Sequence, residues 1–508
     1  MDKKYIPIIG LEIHAELKTE TKMFCRCKND PDETRPNANI CPICMGHPGT
    51  LPVINMEAVK HVLKVGIALN GELAYDFTEF DRKNYFYPDI PKGYQITQYK
   101  YPFIKGGELL GVSITRVHLE EDTASSSHDK GDYSLVDFNR AGVPLMELVT
   151  EPVITDAATA SRFARELQLL LRYIGAGEAN MEKGEMRVEV NVSVQEAGLW
   201  TLGEKGTGTY LWKYNGNLAE GESIPKMSAK VEVKNLNSFK ALEKAVAYEI
   251  DRQISVIESG GKVVQETRGW DDGKETTFSQ RAKENSHDYR YYPDPDLPKL
   301  RLSELPDFSK ETLNKQMPEL PWVKRERYQK DFELKPEDAE MYVRSRVWGD
   351  YFEQVIAGFS GEKKLTKLAS NYLSSDLAGL IKKETTDTDA GLTVFIQKVP
   401  PAMFAKLITM ASTNLISSRG AKDILAILAL SGGDPEIIAN EKGLIQKNDP
   451  EALKKIVENI IVANPTVVAD FKAGKEAALQ FLVGQGMKES KGSANPGVLK
   501  ELIRELIK

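Results

Sequence analysis

A change of hydrophobic period near residue 290 divides this chain into two kinds of structure. Before that point, short segments alternate apolar and polar residues as strands do, with a few helices among them. After it, apolar residues recur at helical spacing, with breaks near Gly432-Gly433 and Pro465. The helical repeat comprises Val343, Val347, Trp348, Tyr351, Phe352, Val355 and Ile356, and then Leu365, Leu368, Ala369, Tyr372, Leu373, Leu377 and Leu380. The pattern predicts an α+β fold class with a mixed front half and an all-helical back half.

Two breaks suggest where the chain divides. Proline is dense at the first of them, with Pro293, Pro295, Pro298, Pro306, Pro318 and Pro321. Because proline lacks an amide donor and biases the preceding residue away from helix, we expect an extended connector there. The second break is Gly432-Gly433-Asp434-Pro435, and the helical half is expected to divide again around residue 438.

Charge and hydropathy exclude several classes of protein. The chain has 67 basic and 74 acidic residues, a net charge of −7, so any nucleic-acid contact must come from a local patch. The segment 471–508 is locally basic; it could contact phosphates or simply be a solvated face. The apolar stretch from Tyr5 to Leu11 is too short for a signal peptide, and no apolar run approaches the roughly 20 residues that span a bilayer. We therefore expect a cytoplasmic protein without membrane contact.

All four cysteines lie within a short segment, as Cys25-x-Cys27 and Cys41-x-x-Cys44. Two close pairs joined by a short spacer can supply four thiolates to a tetrahedral zinc ion. Four unrelated buried cysteines would rarely cluster in this way. A disulfide pair is disfavoured because nothing else indicates an oxidising compartment. The spacing predicts a zinc knuckle.

Several predicted strands carry an acidic residue on their polar face. In the segment from Gly10 to Leu17, apolar residues occupy one face, and Glu12, His14 and Glu16 occupy the other. Glu189 and Glu232 hold the same position between valines in later strands. Further acids occur in the segments 118–122 and 144–148. Solvent-facing strand positions are often glutamate, so any one strand can be an ordinary polar face.

If these strands share one sheet, their carboxylates gather on one face. Gathered carboxylates repel one another unless a hard cation neutralises them, and Mg²⁺ or Mn²⁺ is the expected ion. A magnesium site with open positions would suit phosphoryl transfer. The chain has no Walker A loop, no G-x-G-x-x-G after a strand, no G-x-S-x-G elbow and no H-E-x-x-H.

One loop, from Asp81 to Asp89, mixes cations with aromatic residues. In one interpretation its aromatic side chains stack on RNA bases and its cations contact phosphates. In the other, equally favoured, its aromatic side chains pack on the protein core.

Together these segments resemble the B subunit of the tRNA-dependent amidotransferases. The resemblance covers nearly the whole chain in order, and the run from Val136 to Pro152 is its most specific part. The other matching segments are 10–14, 81–89, 118–122, 234–239, 265–268, 288–293 and 481–488.

The resemblance implies a cradle domain over residues 1–296, a helical domain over 297–437 and a tRNA-binding tail domain over 438–508. It implies that ATP and Mg²⁺ are used to phosphorylate the side-chain carboxyl of Glu or Asp on mischarged tRNA. Ammonia from the partner A subunit, which is an amidase, then displaces the phosphate. The heterotrimer also contains a small C subunit and can involve an aminoacyl-tRNA synthetase.

The resemblance also assigns residues. The catalytic set is Glu12, His14, Glu121, Glu147, Glu189 and Glu232. The magnesium ligands among them are Glu12, His14, Glu121 and Glu147. The expected contacts to substrate or tRNA are Arg82, Lys83, Tyr85, Lys488 and Lys491.

The chain departs from the family pattern in two places. Glu189 stands where an aspartate is common, and residues 197–228 resemble an inserted loop or hairpin near the cradle rim. The cysteine knuckle, present in only part of the family, is expected to be a structural staple near the active site. The alternative is a non-catalytic, zinc-containing scaffold that binds tRNA or supports assembly, with the carboxylates as a plain polar face.

Overall fold

The computed structural model describes residues 4–30, 32–127, 131–203, 212–216, 227–282, 290–446, 450–490 and 494–507. The chain forms two compact units, Met1–Pro321 and Trp322–Lys508. The proline-rich segment belongs to the first of these two units.

The first unit is built mainly of strands. Its strands are β1 (Tyr5–Glu16), β2 (Glu72–Leu73), β3 (Asp81–Asn84), β4 (Tyr94–Thr97), β5 (Ile104–Lys105), β6 (Glu108–Leu109), β7 (Val112–Glu121), β8 (Ser125–Ser127), β9 (Leu135–Asp137), β10 (Pro144–Thr150), β11 (Met186–Glu196), β12 (Trp200–Leu202), β13 (Trp212–Tyr214), β14 (Val231–Leu236), β15 (Glu266–Asp271), β16 (Thr276–Ala282) and β17 (Arg290–Pro293). Its helices are α1 (Met56–Ala68), α2 (Ala157–Tyr173), α3 (Phe239–Glu258) and α4 (Lys310–Lys315).

Within the described residues, ten strands form one large sheet in the order β16-β15-β14-β11-β1-β10-β7-β5-β2, with β6 paired to β7. The pair β14 and β15 is parallel and the other pairs are antiparallel. β1 lies at the centre, between β10 and β11. The mixed sheet predicted for the front half is confirmed.

The alternation in β1 explains how this sheet acquires one polar face. Leu11, Ile13 and Ala15 are buried on the apolar side, where α2 and α3 pack against each other and against the sheet. Each helix begins at a side-chain cap: Asp156 accepts a hydrogen bond from an amide of α2, and Ser238 does so for α3. Because the helices cover only the apolar face, the polar face stays available for a site.

A smaller three-stranded sheet, in the order β17-β3-β4, adjoins the end of β7. The backbone amide of Ile96 donates to Glu121, and the hydroxyl of Thr97 donates to Glu120, at 2.9 Å in each case. This second sheet therefore lies against the acidic end of β7.

The proline-rich segment is not an extended connector, and that expectation is wrong. It contains two 3₁₀ turns, Leu302–Glu304 and Pro306–Phe308, followed by α4. Leu300 exchanges two backbone hydrogen bonds with Thr78, and Leu302 is fully buried. The leucines between the prolines therefore bind this segment to the first unit.

The second unit is helical, as predicted. Its helices are α5 (Pro321–Lys330), α6 (Pro336–Arg344), α7 (Arg346–Ile356), α8 (Lys363–Asn371), α9 (Ala378–Glu384), α10 (Thr388–Lys398), α11 (Pro401–Ser412), α12 (Ser418–Ser431), α13 (Pro435–Glu441), α14 (Pro450–Ala463), α15 (Pro465–Lys472), α16 (Glu476–Glu489) and α17 (Pro496–Ile507). A 3₁₀ turn (Ala357–Phe359) follows α7, and a π-helical turn (Tyr372–Leu377) joins α8 to α9.

The breaks in helical periodicity fall where the sequence places them. α12 ends before Gly432, which has a φ of +69°, and Pro435 starts α13. The last four helices bury a core of their own, which includes Leu453, Leu482 and Ile503. None of the described helices combines the length and the apolar character needed to cross a bilayer.

Candidate active site and metal centres

Strand register gathers acidic and imidazole side chains in one row across the polar face of the large sheet. Arg187 on β11 pairs with His14 on β1, which pairs with Glu147 on β10, which pairs with His118 on β7. Residues opposite one another in adjacent strands share a face, so these four side chains are neighbours. Glu12, two residues before His14, and Glu120, two after His118, lie on the same face.

The distances show how tightly this group is packed. Nε2 of His14 lies 3.3 Å from Glu147, 3.7 Å from Glu120 and 4.0 Å from Glu12. Ligand atoms of Glu12, His14 and Glu147 all lie within 4.8 Å of one another, and so do those of His118, Glu120 and Glu147. The two groups share Glu147.

The protonation equilibria of the cluster reflect its excess of negative charge. Burial would lower the pKa of His14, but the hydrogen bond with Glu147 and the charges of Glu120 and Glu12 raise it to about 9. Burial and the charge of Glu147 raise the pKa of Glu12. Burial opposes ionisation of Glu147, yet its neighbours His118, His14 and Arg116 hold its pKa below the usual range. A divalent cation would relieve this repulsion, and oxygen ligands with one imidazole suit Mg²⁺ or Mn²⁺.

Glu189 and Glu232 lie beside this cluster rather than in it. Glu189 is opposite Glu12 in the β1–β11 register, and Glu232 lies one strand further, on β14. The ammonium group of Lys234 lies 2.8 Å from Glu189 and 3.9 Å from Glu232. The charges of these carboxylates outweigh burial and raise the pKa of Lys234. This ion-paired group forms one border of the polar face.

Glu121 is not brought into the cluster. One of its carboxylate oxygens accepts from Lys92 at 2.6 Å and the other from the amide of Ile96 at 2.9 Å. Glu120, the preceding residue, stands beside His14 instead. Strand alternation could have found Glu120, because it is two residues from His118 and therefore on the same face of β7.

The four cysteines converge as their spacing predicts. Their sulfur atoms all lie within 4.8 Å of one another, and Cys25 and Cys44 are buried. The backbone amide of Cys41 lies 3.1 Å from the sulfur of Cys44 and donates to it, as in a metal-binding knuckle. A hydrogen bond from Cys25 lowers the pKa of Cys44 to about 5, while burial raises that of Cys27 to about 12. Four thiols at this spacing fit a tetrahedral zinc site with Zn–S bonds of about 2.3 Å.

A buried lysine joins the knuckle to the loop before β10. Lys22 has no exposed surface, and its ammonium group donates to the carbonyl oxygens of Ala141, at 2.7 Å, and Phe138, at 3.1 Å. Gly142, in the same loop, has a φ of +85°, and a Cβ atom there would lie 3.6 Å from Cys44. The knuckle is thus packed against the loop that leads into the strand carrying Glu147.

The residues predicted to contact substrate or tRNA lie in different local environments. The guanidinium group of Arg82 is held by Asp294 and Asp296, at 2.8 Å each, and lies over the ring of Tyr94. Lys83 is the next residue of β3, with its ammonium group 5.7 Å from the centre of the Tyr85 ring.

In the second unit, Lys488 is exposed near the end of α16. Lys491 lies outside the described residues, as does most of the predicted insertion 197–228. Of that insertion, the short hairpin of β12 and β13 is described.

Comparison with known proteins identifies the family. Residues 7–305 match the family model described as the GatB/GatE catalytic domain, and residues 350–507 match the GatB domain. The chain belongs to the GatB family. Both the carboxylate cluster and the cysteine knuckle fall within the part that matches the catalytic domain.

Full-length relatives of the GatB family agree with this assignment. The chain is 41% identical over 510 residues to a protein of Caldanaerobacter subterraneus, with 99% of each chain covered. It is 39% identical to one from Carboxydothermus hydrogenoformans, again with 99% of each covered, and 39% identical to one from Persephonella marina. Each is named as the B subunit of an aspartyl/glutamyl-tRNA(Asn/Gln) amidotransferase. The resemblance drawn from the sequence motifs is confirmed.

Proposed function

We propose that this chain is the component of a tRNA-dependent amidotransferase that activates the side-chain carboxyl of Glu or Asp esterified to a mischarged tRNA. The observation that carries the proposal is the group formed by Glu12, His14 and Glu147, inside the part of the chain that matches the GatB/GatE catalytic domain. With Glu120, three acids lie within 4.0 Å of Nε2 of His14, an arrangement that a polar sheet face without a ligand would not need.

The same residues would hold Mg²⁺. Glu12, His14 and Glu147 supply the ligands, and Glu120 takes the place that the family motif assigns to Glu121. Bound there, the metal would neutralise part of the negative charge on the phosphates of ATP, including the charge that develops during phosphoryl transfer. Three cations lie in or beside the row and would offset the charge of those phosphates: Arg187, which is also ion-paired with Asp122, Lys234 and Arg116.

The reaction has two displacements. A carboxylate oxygen of the substrate attacks the γ-phosphorus of ATP, the bond to the β–γ bridging oxygen breaks, and ADP leaves with that electron pair. Ammonia then attacks the carbonyl carbon of the acyl phosphate, the C–O bond to phosphate breaks, and the excess proton passes to a base. The first displacement is needed because a carboxylate has no good leaving group. The protein contributes positioning and fixed charge to both displacements.

The remaining roles follow from the same assignment. The ammonia comes from the partner A subunit, an amidase, in a complex with the small C subunit, and a synthetase can deliver the mischarged tRNA. Cys25, Cys27, Cys41 and Cys44 hold a structural zinc ion. Arg82, Lys83 and Tyr85 of the first unit contact the substrate or tRNA, and the protein works in the cytoplasm.

The domain division that the resemblance implies adds two roles to this proposal. Residues 438–508 form a tail domain that binds tRNA through Lys488 and Lys491, and residues 297–437 connect it to the cradle. The support for a separate tail is its own apolar core, which includes Leu453, Leu482 and Ile503.

Reconstitution with the amidase and the small partner, mischarged tRNA, glutamine, ATP and Mg²⁺ tests the proposal. Release of ADP that depends on the mischarged tRNA is expected, and Glu147→Gln should abolish it. If the chain binds tRNA but never releases ADP, it is a scaffold and the carboxylates are a plain polar face. Separate assays with Glu-tRNA and Asp-tRNA identify the physiological substrate.

A further inference from the structure

The small sheet presents one of its faces to the acidic end of β7. Thr97 of β4 lies on that face, because its hydroxyl donates to Glu120 at 2.9 Å. Side chains alternate along a strand, so Gln95, two residues earlier, lies on the same face. In the register of the sheet, Gln95 is opposite Lys83, and Lys83 is opposite Tyr291. Lys83 and Tyr291 therefore share the face that borders the proposed magnesium site.

A second tyrosine forms an aromatic stack with Tyr291. The ring centroids of Tyr99 and Tyr291 lie 4.4 Å apart, and the angle between the ring planes is 16°. The backbone amide of Tyr99 donates to the buried carboxylate of Asp81 at 2.9 Å. Tyr99 is nevertheless 60% exposed, so the ring face that does not touch Tyr291 is open to solvent. The stack is thus a fixed aromatic surface with one open face.

The stack lies close to the proposed magnesium site. Tyr99 follows Thr97, the residue that donates to Glu120, by two positions, which is about 7 Å along an extended chain. Burial and the charges of Glu147 and Glu120 raise the pKa of the Tyr291 hydroxyl, and the charge of the neighbouring lysine of β3 opposes them. The separation is short enough for one nucleotide to reach from the stack to the carboxylates.

We propose that the open ring face of Tyr99 is the stacking platform for an adenine base whose nucleotide reaches the proposed magnesium site. The inference rests on the proposed function and adds the place where the nucleobase binds. The chain has neither a Walker A loop nor a G-x-G-x-x-G after a strand, so the nucleotide must be held in another way. Aromatic rings stack on bases through their π faces, and a ring already fixed by Tyr291 and Asp81 loses little freedom on binding.

Two substrates of the proposed reaction carry an adenine. One is ATP, whose γ-phosphate reacts at the proposed magnesium site. The other is tRNA, whose 3′-terminal adenosine carries the esterified amino acid. Both substrates must bring their reacting groups to the same place, so the same platform suits either base, and the experiment has to separate them.

Three variants of Tyr99 test the stacking. In the reconstituted complex with Mg²⁺, ATP affinity is measured by equilibrium dialysis. The affinity for tRNA is measured by filter binding, with intact tRNA and with tRNA that lacks its terminal adenosine. Tyr99→Ala and Tyr99→Leu should each weaken binding of the substrate whose adenine uses the platform by about 5-fold or more, the effect of losing one stacked base. Tyr99→Phe, which keeps the ring, should bind like the wild type.

The two sources of adenine give different results. Weaker binding of ATP with unchanged binding of tRNA identifies ATP as the ligand of the platform. Weaker binding of intact tRNA, with ATP and the truncated tRNA unaffected, identifies the terminal adenosine instead.

The possible failures are also distinguishable. If Tyr99→Ala or Tyr99→Leu binds both ATP and intact tRNA like the wild type, the platform is refuted and the proposed function is not. The same holds if Tyr99→Phe loses as much affinity as Tyr99→Ala. If the wild-type complex binds neither ATP nor tRNA, the proposed function fails and this inference falls with it. Circular dichroism of each variant confirms that it is folded.

Discussion

Two adjacent glutamates on β7 should respond differently to replacement by glutamine: Glu121→Gln should lower the stability of the protein, and Glu120→Gln should lower its metal affinity. Glu121 and Lys92 form a buried pair, with side chains 5% and 11% exposed. A glutamine at residue 121 has one acceptor oxygen, so it must leave either Lys92 or the amide of Ile96 without a partner. Removing one member of a buried ion pair costs about 3–5 kcal/mol. We therefore expect Glu121→Gln to lower the melting temperature of the first unit by about 5–10 °C.

Glu120→Gln should leave the stability of the metal-free chain nearly unchanged. Its carboxylate lies within 4.8 Å of Glu147, a repulsion of about 3 kcal/mol at an effective dielectric constant near 20. It also lies 3.7 Å from His14, which is charged at neutral pH, and that attraction is about 4 kcal/mol. The two terms nearly cancel, so the net change is within about 1 kcal/mol. The loss should appear in Mn²⁺ affinity instead, by about 10-fold or more.

Calorimetric melting and Mn²⁺ titration of both variants separate the two roles, and each variant is the control for the other. The expected result is a destabilised Glu121→Gln that keeps its metal affinity, and a stable Glu120→Gln that loses it. If Glu121→Gln lost Mn²⁺ with an unchanged melting temperature, the assignment drawn from the family motif would be right and the geometric one wrong.

Three further predictions concern zinc, pH and the tail. Elemental analysis should find one zinc ion per chain, and Cys44→Ser should lose it and lower the melting temperature; unchanged melting without zinc would contradict a structural role. Burial and the charge of Asp122 raise the pKa of Glu16 from 4.5 to about 8. Between these two pH values the folded chain keeps the proton of Glu16 and the unfolded chain releases it. The free energy of unfolding therefore declines as pH rises from about 4.5 to 8. Glu16→Gln should therefore gain roughly 1 kcal/mol or more over wild type at pH 8 in urea unfolding, and show no gain at pH 4.5. Deleting residues 438–508 should weaken tRNA binding by filter assay and leave glutaminase activity of the complex intact; unchanged tRNA affinity would refute the tail assignment.

Much of the fold is predictable because it depends on local patterns. The helix α7, which contains Trp348 and Tyr351, follows from apolar residues at helical spacing, and the end of α12 follows from Gly432. The proline-rich segment escapes such prediction because proline excludes regular helix but does not say what the intervening side chains contact. Leu302 is fully buried, and nearby Leu300 pairs through its backbone with Thr78, which is far away in the chain, so no local pattern reports this packing.

The sequence by itself determined that acids alternate with apolar residues along several strands, and that four cysteines have the spacing of a zinc knuckle. Only the tertiary structure decided that Glu147 lies opposite His14, and that Glu120, not Glu121, joins them. The physical reason is the two-residue period of a strand. A shift of one position moves a side chain to the other face, and pairing between β1, β10 and β7, which are distant in the chain, selects the register.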